Sequence, residues 1–455
     1  MREEGEMGYC TNDYERDGRN GMKISIVGTG YVGLVTGACF AEAGHEVLCV
    51  DHDSRIIAML RAGEMPIYEP GLEEIVRRNA ATGRLRFSGS VAEGTAWAEV
   101  IFIAVGAEAR EGGGVDLRRV EQVGRQVAEQ MTSYRLVVEK SMVPAKTSEH
   151  LKKTMLKYLR EAVDFDVASN PEFLREGSAV EDAMRPNRVV VGVESDRAAA
   201  LLEEVYKPIL AASGGEFLRM SVTSAEMTKH AANSFLATKI SYINMVARIC
   251  EAAGADVEQV AKGMGLDPRI GTKCLHAGVG YGGSCFPRDV EAFVGLADGL
   301  GIDFRLLKEV QDINRSQRDW VMRKIKQELW VVQDKKIAVF GLAFKPDTDD
   351  VREAPSLYFI PALRQMRARV VAWDPVAERK FLEIQPDTEC VEDPYECAKG
   401  ADLALVLTEW DAVKQLDLAR LKEAMACPVM VDARNVFDPE VVRAAGFTYH
   451  CVGRA

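Results

Sequence analysis

KISIVGTGYVGLVTGACFAEAGHEVLCVD, residues 23–51, decides the fold. Residues 23–27 (KISIV) have the apolar, β-branched composition of a short buried strand. Gly28-Thr29-Gly30-Tyr31-Val32-Gly33 follows at once, a helical pattern covers residues 34–43, and Gly44 stops it. Residues 46–50 (EVLCV) read as a second strand, ending in Asp51, 18 positions beyond Gly33. A lone GxGxxG carries little. Strand, glycines, helix and a strand-ending acid in that order are the dinucleotide-binding fingerprint. Gly28 makes the tight turn, Gly30 lets the backbone approach a pyrophosphate, and Gly33 lets helix and strand pack closely. The helix N-terminus offers free N–H groups to phosphate charge. Asp51 would accept from both ribose hydroxyls and repel a 2′-phosphate, so the cofactor expected is NAD, not NADP.

Outward from this unit the pattern repeats. Residues 100–105 (VIFIAV), 135–138 (RLVV), 167–169 and 188–193 (RVVVGV) are short apolar runs, as strands covered on both faces require. In a parallel sheet, ligands lie beyond the carboxyl ends of the strands. Gly106, Lys140, Glu172 and Glu176, all just past such runs, are therefore expected to ring one crevice with Gly28, Gly30, Tyr31, Val32 and Gly33.

The period then changes. From Thr223 to Ala253 the chain is helical in pattern and free of proline, a helix of about 30 residues or roughly 45 Å. Thr223 and Glu226 are spaced as a capping box. Lys229 and Asn233, four apart, share a face. Beyond it, AGVGYGGSCFPRD (residues 277–289) sets four glycines ahead of Cys285. That density of glycine makes a loop whose backbone can come close to something. Cys285 reads either as a reactive thiol beside charged neighbours or as a buried structural cysteine. From residue 336 (KIAVF) a second α/β pattern begins, without a GxGxxG; strand ends at Gly341, Asp374, Thr408 and Asp432 follow. It reads as a second nucleotide- or phosphate-binding domain with Lys345 and Arg434 as anion partners, or as a dimerisation domain. The fold class expected is α/β, with two Rossmann-type doubly wound domains joined by a long central helix and a helical middle domain. The divisions are a disordered extension at 1–21, an NAD-binding domain at 22–215, a central helical domain at 216–330 and a C-terminal domain at 331–455. Met22, just before the first strand, is a candidate start of translation.

A chain of 455 residues exceeds what one core supports. Its net charge of −12 disfavours nucleic acid and anionic membranes as partners. No apolar run approaches the roughly 20 residues that span a bilayer, and a cytoplasmic protein is expected. The ten cysteines show no CxxC pair and no close Cys/His spacing, so neither a disulfide framework nor a metal site is expected. Cys39, Cys49 and Cys250 fall inside apolar elements and read as core.

Taken together, GTGYVG with its acid, NPEFLREG (170–177), the Lys229/Asn233 helix, GYGGSCFPRD, FKPDTDDVREAPS (344–356) and DARNVFDP (432–439) resemble the UDP-glucose 6-dehydrogenase family of nucleotide-sugar dehydrogenases. The resemblance runs from Met22 to the C-terminal region. GDP-mannose and UDP-N-acetylmannosamine enzymes share the plan; the wording of residues 30–47 and Tyr68-Glu69-Pro70-Gly71 is most similar to the UDP-glucose branch. The resemblance implies two NAD-dependent oxidations of a sugar C6 alcohol to an acid, with the sugar held on Cys285 as thiohemiacetal and then thioester. It implies Lys229 and Asn233 at the C6 oxygen, Asp289 as base or water-positioning group, and Glu172 as a handler of protons. It places Arg352 with the cofactor set, and Phe173, Leu174, Tyr281, Gly282, Phe344, Lys345 and Arg434 at the UDP-sugar. Arg269 would reach that site from a neighbouring subunit, which makes the protein a homodimer or larger. The glycines before Cys285 would let the backbone close around the sugar. The chain departs from the family pattern at Ala107-Glu108 and the Arg-Glu-Gly-Gly-Gly segment after them, at Met142 for a threonine, at Lys146 for a glycine and at Met245 for an acid.

Overall fold

A computed structural model describes residues 21–106, 108–109 and 115–454. The expected disordered extension, Gly21 aside, and the Ala107 and 110–114 departures lie outside them.

The apolar runs do become strands, and their pairing follows the doubly wound plan. The first sheet has eight strands in the order Glu216–Met220, Arg188–Gly192, Phe165–Ser169, Arg135–Glu139, Val100–Ile103, Lys23–Val27, Glu46–Val50, Leu85–Ser88. Six are parallel; the first two named pair in parallel with each other but run against the rest. Nothing in the local pattern of residues 188–193 encodes that reversal. The strand order reverses between Lys23–Val27 and Val100–Ile103, the switch point at which such sheets leave a crevice. Gly28 sits at that point with φ +104°, and a Cβ there would meet the Ala104 carbonyl oxygen at 2.5 Å. At Gly33 a Cβ would lie 1.9 Å from the Gly28 oxygen, so helix Tyr31–Glu42 can approach its strand only through glycine.

The second sheet has six strands, all parallel, ordered Glu389–Cys390, Arg369–Trp373, Lys336–Phe340, Leu403–Val406, Val429–Asp432, Thr448–His450. Its switch point falls beside Gly341 (φ +99°), which packs on Thr408. Both units are therefore Rossmann-type sheets covered on both faces.

Helix Val222–Ala253 joins them. Its first turn packs on Gly192 and its Ala247 packs on Gly453, each a contact a Cβ would block. Its inward residues Ile243, Ala247 and Cys250 belong to the core of the second α/β unit. The helix is capped by Ser221, whose Oγ accepts from Ser224 N–H. This corrects the expected Thr223/Glu226 capping box. Glu226 is instead buried, and its carboxylate accepts from the backbone N–H groups of Lys146 and Ser148, at the start of helix Thr147–Tyr158. A carboxylate at another helix's N-terminus satisfies donors that helix leaves open and suits its dipole. Among the described residues no helix is long and apolar enough to cross a membrane.

Candidate active site

Cys285 stands at the N-cap of helix Phe286–Gly299, with no side chain capping it. A helix N-terminus favours a thiolate. Burial works the other way, and with Glu172 and Glu176 nearby it pushes the thiol up to about 11, against Lys229 and a Ser284 hydrogen bond. The resting group is the thiol.

Two buried polar pairs from the central helix flank it. Lys229 Nζ donates to Glu172 Oε1 at 2.8 Å, with both side chains almost fully buried. Burial alone would raise the Glu172 carboxyl. Lys229, the Leu174 N–H and Lys140 outweigh it and hold that carboxyl below its ordinary range. Lys229 mirrors this: burial lowers it, but Glu172, Asp289 and Cys285 hold it above the ordinary lysine range. Asn233, one turn on, donates to Asp289 Oδ2. Lys229 and Asn233 are thus partnered to different carboxylates rather than to each other.

The 172–178 loop supplies the opposite wall. Leu174 N–H bonds Glu172 Oε2, and Phe173 carries Arg188 3.9 Å from its ring centroid, with Lys229 Nζ at 5.6 Å. Glu176 reaches across to both neighbouring units. It accepts from Ser284 Oγ at 3.3 Å and Thr348 Oγ1 at 3.2 Å, with Arg352 at 3.6 Å. Burial and the Asp350 carboxylate push it up to about 7, with Arg352 opposing. Ser284 Oγ also lies 3.6 Å from Cys285 Sγ, so Glu176, read from sequence as a cofactor contact, belongs to the surroundings of the thiol.

The glycines before Cys285 make close contacts within the protein. Cβ atoms at Gly278, Gly280, Gly282 and Gly283 would strike Ala433, Asn314, Glu353 and the Phe344 ring respectively. They let the Cys285 loop lie against the second α/β unit at Gly278, Gly282 and Gly283, and against Asn314 of helix Arg305–Leu329 at Gly280. Asn314 exchanges two hydrogen bonds with the Tyr281 backbone, and Tyr281 meets Phe286 edge to face. Arg434 is likewise used for assembly: its guanidinium donates to the carbonyls of Leu407, Gly280 and Phe344. Lys345 differs. It lies against the Phe344 ring, 5.7 Å from its centroid, and among the described residues no carboxylate is within ion-pair distance. Burial lowers its ammonium, with Glu176 opposing. A half-buried lysine so placed suits an anionic ligand. Arg269 is not brought to the cluster within this chain; its side chain is 88% exposed and bridges to Asp267.

On the other side of the crevice the residues fit a dinucleotide. The helix beginning at Tyr31 has Gly30 as N-cap, no side-chain cap and no acid in its first turn, and a Cβ at Gly30 would meet nothing within 4 Å. Its N–H groups face open space, as a pyrophosphate requires. Val32 lies half-buried in that turn, and Gly106 is exposed beyond Val100–Ile103. Asp51 accepts from Thr29 N–H and Oγ1, both at 2.8 Å, and from Asp53 N–H; these outweigh burial and keep it ionised. Tyr31 turns its hydroxyl to Glu69, which also accepts from the N–H groups of Gly177 and Ala179. Glu69 thereby fastens the Glu176 loop to the nucleotide-binding turn. Lys140 points behind the Glu172 loop, to Asn170 Oδ1 at 3.0 Å, and burial lowers it to about 8.

This set of residues has known counterparts. The NAD binding domain of the UDP-glucose/GDP-mannose dehydrogenase family matches residues 22–210, its central domain 223–316 and its UDP binding domain 338–439. The chain belongs to that family. It is an NAD-dependent dehydrogenase. The UDP-glucose 6-dehydrogenase TuaD of Bacillus subtilis (strain 168) is 44% identical over 433 residues, 95% of this chain and 93% of the relative. The UDP-glucose 6-dehydrogenase of Pseudomonas aeruginosa is 44% identical over 445 residues, 95% and 98%. Among solved structures, a UDP-glucose dehydrogenase from the hyperthermophilic archaeon Pyrobaculum islandicum superposes with TM-score 0.90 at 38% identity, over 97% of this chain and 99% of that one. A UDP-D-ManNAc dehydrogenase from Pyrococcus horikoshii gives 0.83 at 27%, over 95% and 99%.

The departures from the family pattern have physical consequences where they are described. Lys146 takes φ +73°, a left-handed conformation that glycine adopts freely and that costs a side-chain residue about 1–2 kcal/mol. The bond from its N–H to Glu226 holds it there. Met142 lines a small cavity together with Glu172, Lys229 and His230. His230, Ser284 and Thr348 were not singled out from sequence, and Glu226 was read only as half of a capping box. Their partners lie far along the chain, except for Ser284, whose place directly before the thiol was the available signal.

Proposed function

We propose that the protein oxidises UDP-glucose at C6 to UDP-glucuronate, with Cys285 carrying the sugar between the two oxidations. The observation that supports this most is the surroundings of the thiol: Lys229–Glu172 on one side and Asn233–Asp289 on the other, in a chain 44% identical to a UDP-glucose 6-dehydrogenase. Gly28, Gly30, Gly33 and Asp51 would hold NAD, which would supply the hydride acceptor for both oxidations. Cys285 sulfur adds to the C6 aldehyde, and the thiol proton passes to a neighbouring base. Lys229 and the Asn233 amide hold the negative charge that develops on the C6 oxygen, in a site dry enough for such donors to count. Glu172, kept ionised by Lys229, orients that ammonium. Asp289 positions and deprotonates the water that hydrolyses the thioester. The diphosphate is met by Lys345, with Phe173, Leu174, Tyr281, Gly282 and Phe344 lining the sugar side. Arg434 acts by holding the Cys285 loop against the second domain.

The test is stoichiometric. UDP-glucose should yield two NADH per molecule consumed, with UDP-glucuronate as product and glucose 6-phosphate inert. A yield of one would overturn the two-step reading. Turnover of a UDP-N-acetylhexosamine or GDP-mannose in place of UDP-glucose would move the substrate within the family.

The working enzyme is a homodimer at least. Phe235, Tyr242 and Ile249 follow one another at seven-residue spacing on the central helix and are 66%, 57% and 65% exposed. A stripe of that kind is an interface in waiting. A second copy would also bring Arg269 within reach of the site. Sedimentation at micromolar concentration should give a dimer or larger; a monomer would defeat this reading.

A further inference from the structure

One buried polar atom of the site has no role in the chemistry above. His230 follows Lys229 on the central helix and is buried. Its Nε2 lies 3.0 Å from the carbonyl oxygen of Val143, which can only accept, so Nε2 carries a proton. In the neutral ring, Nδ1 is then a bare acceptor. It has no hydrogen-bond partner, and the atom it confronts is Asp289 Oδ1, 3.8 Å away. The other Asp289 oxygen is occupied by Asn233. Two acceptors facing each other away from water repel, and an orphaned buried acceptor is costly. A single proton placed on Nδ1 removes both faults once the 3.8 Å gap closes by roughly 0.6 Å or more to make an Nδ1–H···Oδ1 hydrogen bond.

We propose that His230 and Asp289 together store the proton released during thioester hydrolysis, His230 acting through Asp289 as a positioning residue. The proposal rests on the thioester reading above. Water oxygen adds to the thioester carbon and gives a proton to Asp289, where the pair holds it as Nδ1–H···Oδ1. The carbon–sulfur bond breaks, sulfur leaves as thiolate and recovers that proton, and the carboxylic acid formed releases its own proton to solvent. No electron acceptor takes part. The ring cannot swing away, being fixed at Val143 and stacked on Phe293 at 6.0 Å. Sharing a small cavity with it are Glu226 and Lys229 from its own helix, Glu139 and Lys140 at the end of Arg135–Glu139 and Glu172 from the facing loop, while Asp289 of the thiol turn lies 3.8 Å from Nδ1.

Two measurements test it. In ¹⁵N-histidine-labelled protein without substrate, lowering the pH should bring up a downfield Nδ1–H signal that is absent from His230→Phe and displaced in Asp289→Asn. In turnover, His230→Gln keeps an amide donor for Val143 and removes Nδ1. It should lower kcat for acid formation about tenfold, below the roughly 10²-fold of a direct general base, because His230 acts through Asp289. The KM for UDP-glucose should stay within about twofold, thioester should accumulate, and the acidic limb of the pH–kcat profile should move. His230→Phe, which keeps the stack on Phe293, should do the same. Wild-type kcat and an unmoved profile in His230→Gln, or no Nδ1–H signal, would overturn the proposal. If the wild type forms no thioester, the catalytic reading fails, and the substrate-free signal still decides the pair.

Discussion

Cys285→Ser is expected to lower UDP-glucuronate formation by about 10³-fold or more, the order of loss when a covalent nucleophile is removed. The geometry says why oxygen cannot substitute. Cys285 is a thiol at rest, raised to about 11 by burial and its carboxylate neighbours. Lys229 and the helix N-terminus have only to stabilise a thiolate from that value; a serine alkoxide starts several units higher. Any acyl-serine that did form would be an oxygen ester, which water cleaves far more slowly than a thioester, so intact mass should reveal a sugar-nucleotide adduct. A companion measurement follows from the raised thiol. Iodoacetamide labelling of Cys285, read by peptide mapping, should be slow at pH 7 and gain about tenfold per pH unit toward its midpoint, since only thiolate reacts. The exposed Cys427 serves as internal reference. Unchanged UDP-glucuronate production by Cys285→Ser would remove the nucleophile from the scheme.

What could be read from the chain, and what could not, divides along the range of the interactions. Residues 23–51 carry a complete local signal, since turn, helix start and strand-ending acid are each set by near neighbours, and the strand they open lies at the switch point of the first sheet. The second α/β unit was legible from its apolar runs although it has no GxGxxG. Local pattern stops at partner choice. Glu226 looked like half of a capping box three residues from Thr223; its partners are 80 and 78 positions away. The glycines before Cys285 announced a close approach without saying to what, and their contacts prove to be Asn314 of a later helix and a second domain folded from later residues still. Glu176 was legible as a residue of the ligand crevice, but not its partners, Thr348 and Ser284, which tie it to the surroundings of the thiol. His230 gave no signal at all, because a lone histidine on a helix reads as core until the carbonyl on one nitrogen and the carboxylate facing the other are seen.

Lys229→Met should injure stability and turnover together, and the pH dependence separates the causes. Removing Lys229 leaves Glu172 buried with only the more distant Lys140 to balance it. Breaking a buried ion pair from one side costs about 3–5 kcal/mol. In the wild type the Glu172 carboxyl lies below its unfolded value, so the stability it contributes is present above that value and lost as pH falls through the folded one. In the variant burial is left in command and the sign reverses. Glu172 then penalises the fold at neutral pH and relieves it on taking a proton as pH falls. The gap in melting temperature between wild type and Lys229→Met should therefore be widest near pH 8 and narrow toward pH 5. Glu172→Gln added to Lys229→Met should recover much of the lost stability, because the orphaned charge is gone. It should recover no turnover: kcat stays down about 10²–10³-fold, the worth of a donor aimed at the developing oxyanion. Restored stability with restored activity would mean that Lys229 merely braces the fold. A stability loss independent of pH would mean that Glu172 is not what Lys229 holds ionised. Only the combination of recovered melting and unrecovered turnover places the ammonium at the reacting oxygen.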